Sequence, residues 1–139
     1  MRHMKPTLHA LALALATSAV LGASACTTET STGAAAKPAL TEALLKTAAV
    51  IDVRTPGEHA SDGHLQGDHN IPVQEIEARI ADVAALVGGD KTKPVVVYCR
   101  SGARSSRGRG ILENAGFTNV VDAGGYGGLA SRFPALATK

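Results

Sequence analysis

The side chain best suited to chemistry in this sequence is Cys99, within Val95-Val-Val-Tyr-Cys-Arg-Ser-Gly-Ala-Arg104. Gly102 permits a tight loop after it, because glycine has no Cβ to restrict φ. A loop curling from a strand end to a helix start turns its N–H groups inward and forms an anion-holding nest. The helix N-terminus adds unpaired N–H groups and partial positive charge. A thiol at the centre of such a ring has its pKa lowered from about 8.5, which makes it a nucleophile at neutral pH. Arg100 and Arg104 fall in the loop, with Arg107 and Arg109 close behind. Together they form a local trap for anions. The plain alternative is an inert buried cysteine at a strand end beside a solvated row of arginines; the glycine, the cations and the loop setting together favour chemistry.

The surrounding pattern places this loop in an α/β sheet. Leu40, Leu44 and Leu45 share a helix face with Thr41 as a possible cap. Ala49–Arg54 reads as a strand ending in charge, broken by Thr55-Pro-Gly, and Glu58–Gly67 reads as polar with turns at Gly63 and Gly67. Asn70-Ile71-Pro72 is a brief extended piece. Ile76, Ile80, Val83 and Val87 mark a helix face ending at Gly88-Gly89. Val95–Tyr98 is a continuous apolar strand of the kind buried on both faces of a parallel sheet. A helix over Ser105–Ala115, a strand over Asn119–Asp122 and a short helix around Leu129 complete the alternation. Strands alternating with helices imply right-handed crossovers and a parallel sheet. Ligands of such sheets gather beyond the carboxyl ends of the strands, where Asp52, Arg54, Cys99 and Gly124-Gly125 lie.

A small oxyanion such as thiosulfate, drawn to this loop, is open to attack on its outer sulfur. Sulfite then leaves as an anion and the new persulfide sulfur occupies the nest. The reading requires no cofactor and no metal.

The first 25 residues differ in kind. Arg2 and Lys5 precede an almost unbroken Leu/Ala/Val run from Leu8 to Gly22, ending in Ala23-Ser24-Ala25. That pattern is a secretion signal, and the run is shorter than the roughly 20 residues of a spanning helix. Without it the chain has 12 Lys+Arg against 12 Asp+Glu, since the whole sequence has 14 and 12. A neutral domain offers no general affinity for nucleic acid. Cys26, directly after the small residues, stands where bacterial lipoproteins carry their lipid, and Leu21-Gly-Ala-Ser-Ala-Cys26 resembles a lipobox except at Ala23. Ordinary cleavage after Ala25 is the alternative. The organisation expected is a signal over residues 1–25, a flexible tether over 26–39, and one domain over 40–139. The expected location is exported, in the periplasm, with attachment to the membrane through a lipid on Cys26.

With these motifs assembled, the sequence resembles a single-domain rhodanese over roughly Thr41 to Leu129. The resemblance is carried by Ile51-Asp-Val-Arg-Thr-Pro-Gly-Glu58, Gly63-His-Leu-Gln-Gly67, Asn70-Ile-Pro72, Val96-Val-Tyr-Cys-Arg-Ser-Gly-Ala-Arg104, Ala115-Gly-Phe117 and Gly124-Gly125. It implies a three-layer rhodanese-like α/β fold, with a central parallel sheet of about five short strands flanked by helices. It also implies a persulfide on Cys99, cradled by the amides of Arg100, Ser101, Gly102, Ala103 and Arg104. Sulfur would pass from thiosulfate or a related small anionic donor to cyanide or a thiol. Asp52 and Arg54 match a charged pair that braces the loop, although a structural salt bridge accounts for them equally. His64 matches a position usually held by His and packs under the loop; a preformed thiolate needs no general base. The sequence departs from the family at His59, where an aromatic residue is usual. It departs again at Asp68-His69, which replaces a small apolar pair, and after Gly124-Gly125, where Trp is absent.

Other functions remain open at this point. A phosphatase or arsenate reductase uses a similar thiolate, but the phosphatase loop needs five residues between Cys and Arg. Here Arg104 follows after four, and the required position holds Ser105. A carrier passing its persulfide to a partner protein, or a partner-binding lipoprotein domain, are the non-enzymatic readings. The sequence names no protein partner.

Overall fold

The computed structural model describes residues 36–139; the expected signal over 1–25, Cys26 and the expected tether up to residue 35 lie outside the described residues. The elements are α1 (Glu42–Thr47), β1 (Ala49–Asp52), α2 (Pro56–Ser61), β2 (His69–Asn70), α3 (Ile80–Leu86), β3 (Val95–Cys99), α4 (Ala103–Asn114), β4 (Val120–Gly125) and α5 (Tyr126–Arg132), followed by a 3₁₀ turn at Pro134–Leu136. The strands form one sheet in the order β2-β1-β3-β4, and every pairing is parallel.

The unbroken apolar run becomes the inner strand β3, buried at all five positions. Its side chains alternate between two cores. Val95, Val97 and Cys99 join Ile51, Ile76, Val83, Leu112 and Phe117 on the face covered by α3 and α4. Val96 and Tyr98 join Leu45, Val50, Leu65, Leu129 and Phe133 on the face covered by α1 and α5. The period of two along a strand thus gives the three layers expected and sends Cys99 and Tyr98 to opposite faces.

Four strands stand where about five were expected, among the described residues. β2 is short for a local reason. Beyond Asn70 the chain still follows β1, with Ile71 N–H donating to Asp52 O at 2.9 Å and Val73 N–H to Val53 O at 3.1 Å. Ile71 and Val73, two residues apart, thus reach the carbonyls of consecutive residues, which is out of register for a parallel ladder, and the regular pairing ends there.

Two other expectations change. Thr55-Pro-Gly does not simply break the chain; it begins α2. Thr55 accepts from the Glu58 N–H while the Glu58 side chain accepts from Thr55 N–H, a full capping box, and proline occupies the first turn, where its missing N–H costs nothing. Ile76 is fully buried but precedes α3, in turns that end when Arg79 N–H bonds to Ile76 O and Glu75 O.

Candidate active site

Cys99 ends β3, and α4 begins at Ala103, two residues earlier than the sequence pattern indicated. Gly102 makes the turn between them with φ +102°, a left-handed value that favours glycine. Its N–H points back to the Cys99 Sγ at 3.0 Å. Cys99 is itself buried. Burial pushes its thiol up, but the backbone N–H groups of Ser105, Gly102 and Ser101 outweigh this, so the net shift is downward from the ordinary thiol value. The sulfur-facing amides are therefore a subset of the expected cradle plus one residue beyond it.

That additional residue, Ser105, is fully buried. Its hydroxyl lies 2.8 Å from Gly102 O and 2.6 Å from Asp122 Oδ1, and it also faces Cys99. One hydroxyl hydrogen serves three acceptors. The short contact to the carboxylate is the charge-assisted one and takes it. Stabilisation of a Cys99 thiolate hence rests on the backbone amides, while Ser105 ties α4 to β4. Asp122 Oδ1 also accepts the Gly124 N–H at 3.0 Å. A register shift in the β3–β4 ladder between Val97 and Tyr98 then sets Gly124 opposite Tyr98 and Gly125 opposite Cys99. Bulges of this kind re-aim a strand end beside a site.

Gly125 meets the loop closely enough that a Cβ there would lie 2.7 Å from Arg100 O. The atoms it would meet belong to the loop's backbone, so the loop must move. Gly125→Ala is expected to cost about 1–3 kcal/mol of stability and to lower kcat/KM by about tenfold or more, through displacement of the amides around Cys99. Thermal unfolding and steady-state kinetics check this; unchanged kinetics would show that the loop does not depend on this contact.

The arginines divide. Arg100 and Arg107 are exposed, while Arg104, partly buried, forms a bidentate pair with Glu58, with both N–O distances 2.7 Å. Arg104 holds the Glu58 carboxyl well below the usual carboxylate range, aided by the Thr55 N–H. The capping glutamate of α2 is therefore also the counter-ion of the loop. The sequence pattern had offered Glu58 only as part of a motif.

Asp52 and Arg54 form a buried pair beside the strand end. Arg54 donates from Nε to both Asp52 oxygens at 3.0 and 2.9 Å, and from a terminal nitrogen to Oδ2 at 2.6 Å and to Gly63 O at 2.7 Å. Its guanidinium lies 5.5 Å from the Tyr98 ring centroid and 4.8 Å from that of Tyr126. His64 sits elsewhere. Its Nδ1 is 3.0 Å from Asp68 Oδ1, and it stacks on His59 at 4.0 Å between centroids. Asp68 in turn accepts the Tyr98 hydroxyl on Oδ2, and Leu65 N–H donates to the Tyr98 oxygen at 3.1 Å. No hydrogen bond links His64 to the Cys99 loop.

A buried cysteine at the end of a central parallel strand, met by a loop N–H, has the arrangement from which a thiolate can attack a small electrophile. Where a phosphatase would place arginine, this chain has Ser105 locked to Asp122. The comparisons with known proteins agree with that class. The description "Rhodanese-like domain" matches residues 37–130, and the chain belongs to that family. It is 40% identical over 80 residues to a protein of Escherichia coli K12 named thiosulfate sulfurtransferase PspE, covering 58% of this chain and 72% of that protein. Among solved structures, an E. coli rhodanese with anions matches at 40% identity and TM-score 0.50, over 55% of this chain and 85% of that one. The human single-domain sulfurtransferase TSTD1 matches at 28% identity and TM-score 0.53, over 65% and 88%. The chain is an enzyme of the rhodanese, sulfurtransferase type.

Proposed function

We propose that this chain moves sulfane sulfur from thiosulfate, or a related anionic donor, to cyanide or a small thiol through a persulfide on Cys99. The observation that carries this reading is the buried Cys99 sulfur at the end of the inner strand, with the Gly102 N–H directed at it at 3.0 Å. The Cys99 thiolate attacks the outer sulfur of thiosulfate. A new S–S bond forms, the old one breaks, and sulfite leaves with the electron pair. Cyanide then attacks the terminal sulfur, thiocyanate departs, and Cys99 regains its thiolate. No general base takes part. The persulfide sulfur stands about 2 Å beyond Sγ. The depth of Cys99 favours small acceptors over a folded protein's thiol.

Intact mass after thiosulfate treatment tests the reading. A gain of one sulfur atom, removed by cyanide, supports it; an unchanged mass overturns it. The lowered thiol also sets a pH profile. Thiolate is the reacting form, so the first half-reaction falls away in acid. Its half-maximal pH is expected below the ordinary thiol value of about 8.5. Rapid-mixing sulfite release across pH checks this, and a midpoint at or above the ordinary value would contradict the cradle.

The exported location and the lipid on Cys26 are further parts of the proposal. Their support is the apolar leader and the small residues directly before Cys26. Intact mass of the protein recovered from membrane and soluble fractions decides between a lipid and a free cysteine.

A further inference from the structure

Two departures from the family pattern, His59 and Asp68, meet His64 at one point. His59 Nε2 lies 3.1 Å and His64 Nδ1 3.0 Å from the same oxygen, Asp68 Oδ1. The three ligand atoms all lie within 4.8 Å of one another. The Asp68 side chain is only 1% exposed, and the imidazoles are its sole nitrogen partners within ion-pair distance among the described residues. A carboxylate taken out of water requires compensating positive charge. Neither lysine nor arginine supplies it here.

The geometry suits a metal. An ion held tetrahedrally at about 2.0–2.1 Å has its ligands roughly 3.3 Å apart. Both nitrogen–oxygen edges fall within a few tenths of an ångström of that. Two imidazoles and one carboxylate are the donor set of three-ligand zinc sites that keep a position for solvent. The rings are 22% and 32% exposed, which gives an entry path and room for that solvent ligand. Outer partners are in place as well. The Tyr98 hydroxyl donates to Asp68 Oδ2, and this leaves Oδ1 for the ion and fixes the carboxylate.

We propose that His59 Nε2, His64 Nδ1 and Asp68 Oδ1 bind a divalent transition-metal ion of the zinc class, with solvent completing the shell. Each imidazole then holds its proton on the nitrogen that faces away from the ion. Such a site joins α2 to the loop that leads into β2. Because Glu58, next to His59, holds Arg104, the ion would also stiffen the support of the Cys99 loop.

Thiols compete for the same metals, so the test uses the full chain with Cys26→Ser and Cys99→Ser, treated with chelator. Zinc is added in a calorimeter, and Co²⁺ is followed by absorption. One equivalent is expected to bind, with tetrahedral Co²⁺ bands, and zinc is expected to raise Tm. His59→Phe, which restores an aromatic residue, should weaken binding by about tenfold or more and remove the Tm rise. His64→Gln should do the same, and circular dichroism confirms that each variant is folded. Absence of saturable binding in the parent overturns the proposal, as does affinity that survives both substitutions.

Discussion

Cys99→Ser is expected to abolish sulfur transfer, by about a thousandfold or more, while the domain keeps its fold. The size follows from the chemistry. A serine hydroxyl in the same ring of amides stays protonated at neutral pH, and oxygen is a poor nucleophile toward sulfane sulfur. The fold should survive because serine is nearly the same size and its oxygen can accept the Gly102 N–H that now reaches Sγ. Burying a hydroxyl in place of sulfur in the core around Val97 and Leu112 costs about 1–2 kcal/mol, a shift of several degrees in Tm. Thiosulfate-dependent thiocyanate formation, read beside thermal unfolding, separates the two effects. Turnover within tenfold of the parent would falsify the persulfide route.

The inner strand and the tight turn after Cys99 were legible because each depends on neighbours in sequence. Five consecutive apolar residues need two covered faces, and a cysteine before a Gly-containing, Arg-rich turn needs little else to be conspicuous. α2 was misread because Thr55-Pro-Gly has two meanings. Proline after an extended residue ends one element and equally begins a helix, and only Glu58 at the third helical position marks the second meaning. That signal was present in the sequence. The partners of the loop were not legible. Glu58 finds Arg104 across 46 positions and Ser105 finds Asp122 across 17, pairings set by where α2 and β4 each meet α4. For the same reason Arg104, taken from sequence as a donor-binding cation, is a neutralised one in the structure.

These pairings also change what the positive loop does. With Arg104 matched to Glu58, the cation left in the loop is the exposed Arg100, and Arg107 is exposed on α4. Steering and stabilisation are thereby separated: exposed cations act at long range and are screened by salt, whereas the buried amides act only at contact. A thiolate at Cys99 would be stabilised by groups that water and salt do not screen.

The buried pair at the end of β1 leads to the second large effect. Arg54→Ala is expected to destabilise the domain by about 3–5 kcal/mol, which lowers Tm by more than about 10 °C in a domain of this size. Burial pushes the guanidinium down, but the hydrogen bonds and charge of Asp52 more than offset this, and Arg54 stays a cation. Both side chains are within 1% of complete burial. Removing Arg54 strands the Asp52 carboxylate, deprives Gly63 O of a donor and takes away the cation packed on Tyr98 and Tyr126. Asp52 retains a bond from the Arg54 backbone N–H, at 2.9 Å, which is too little for a full charge. Exchanging the pair together, Asp52→Asn with Arg54→Met, should cost clearly less than the two single changes added, because no uncompensated ion is left behind. Urea unfolding of the four proteins completes the cycle. A loss under about 1 kcal/mol for Arg54→Ala, or strict additivity in the cycle, would show that the pair is solvated and does not brace the strand ends that hold Cys99 in place.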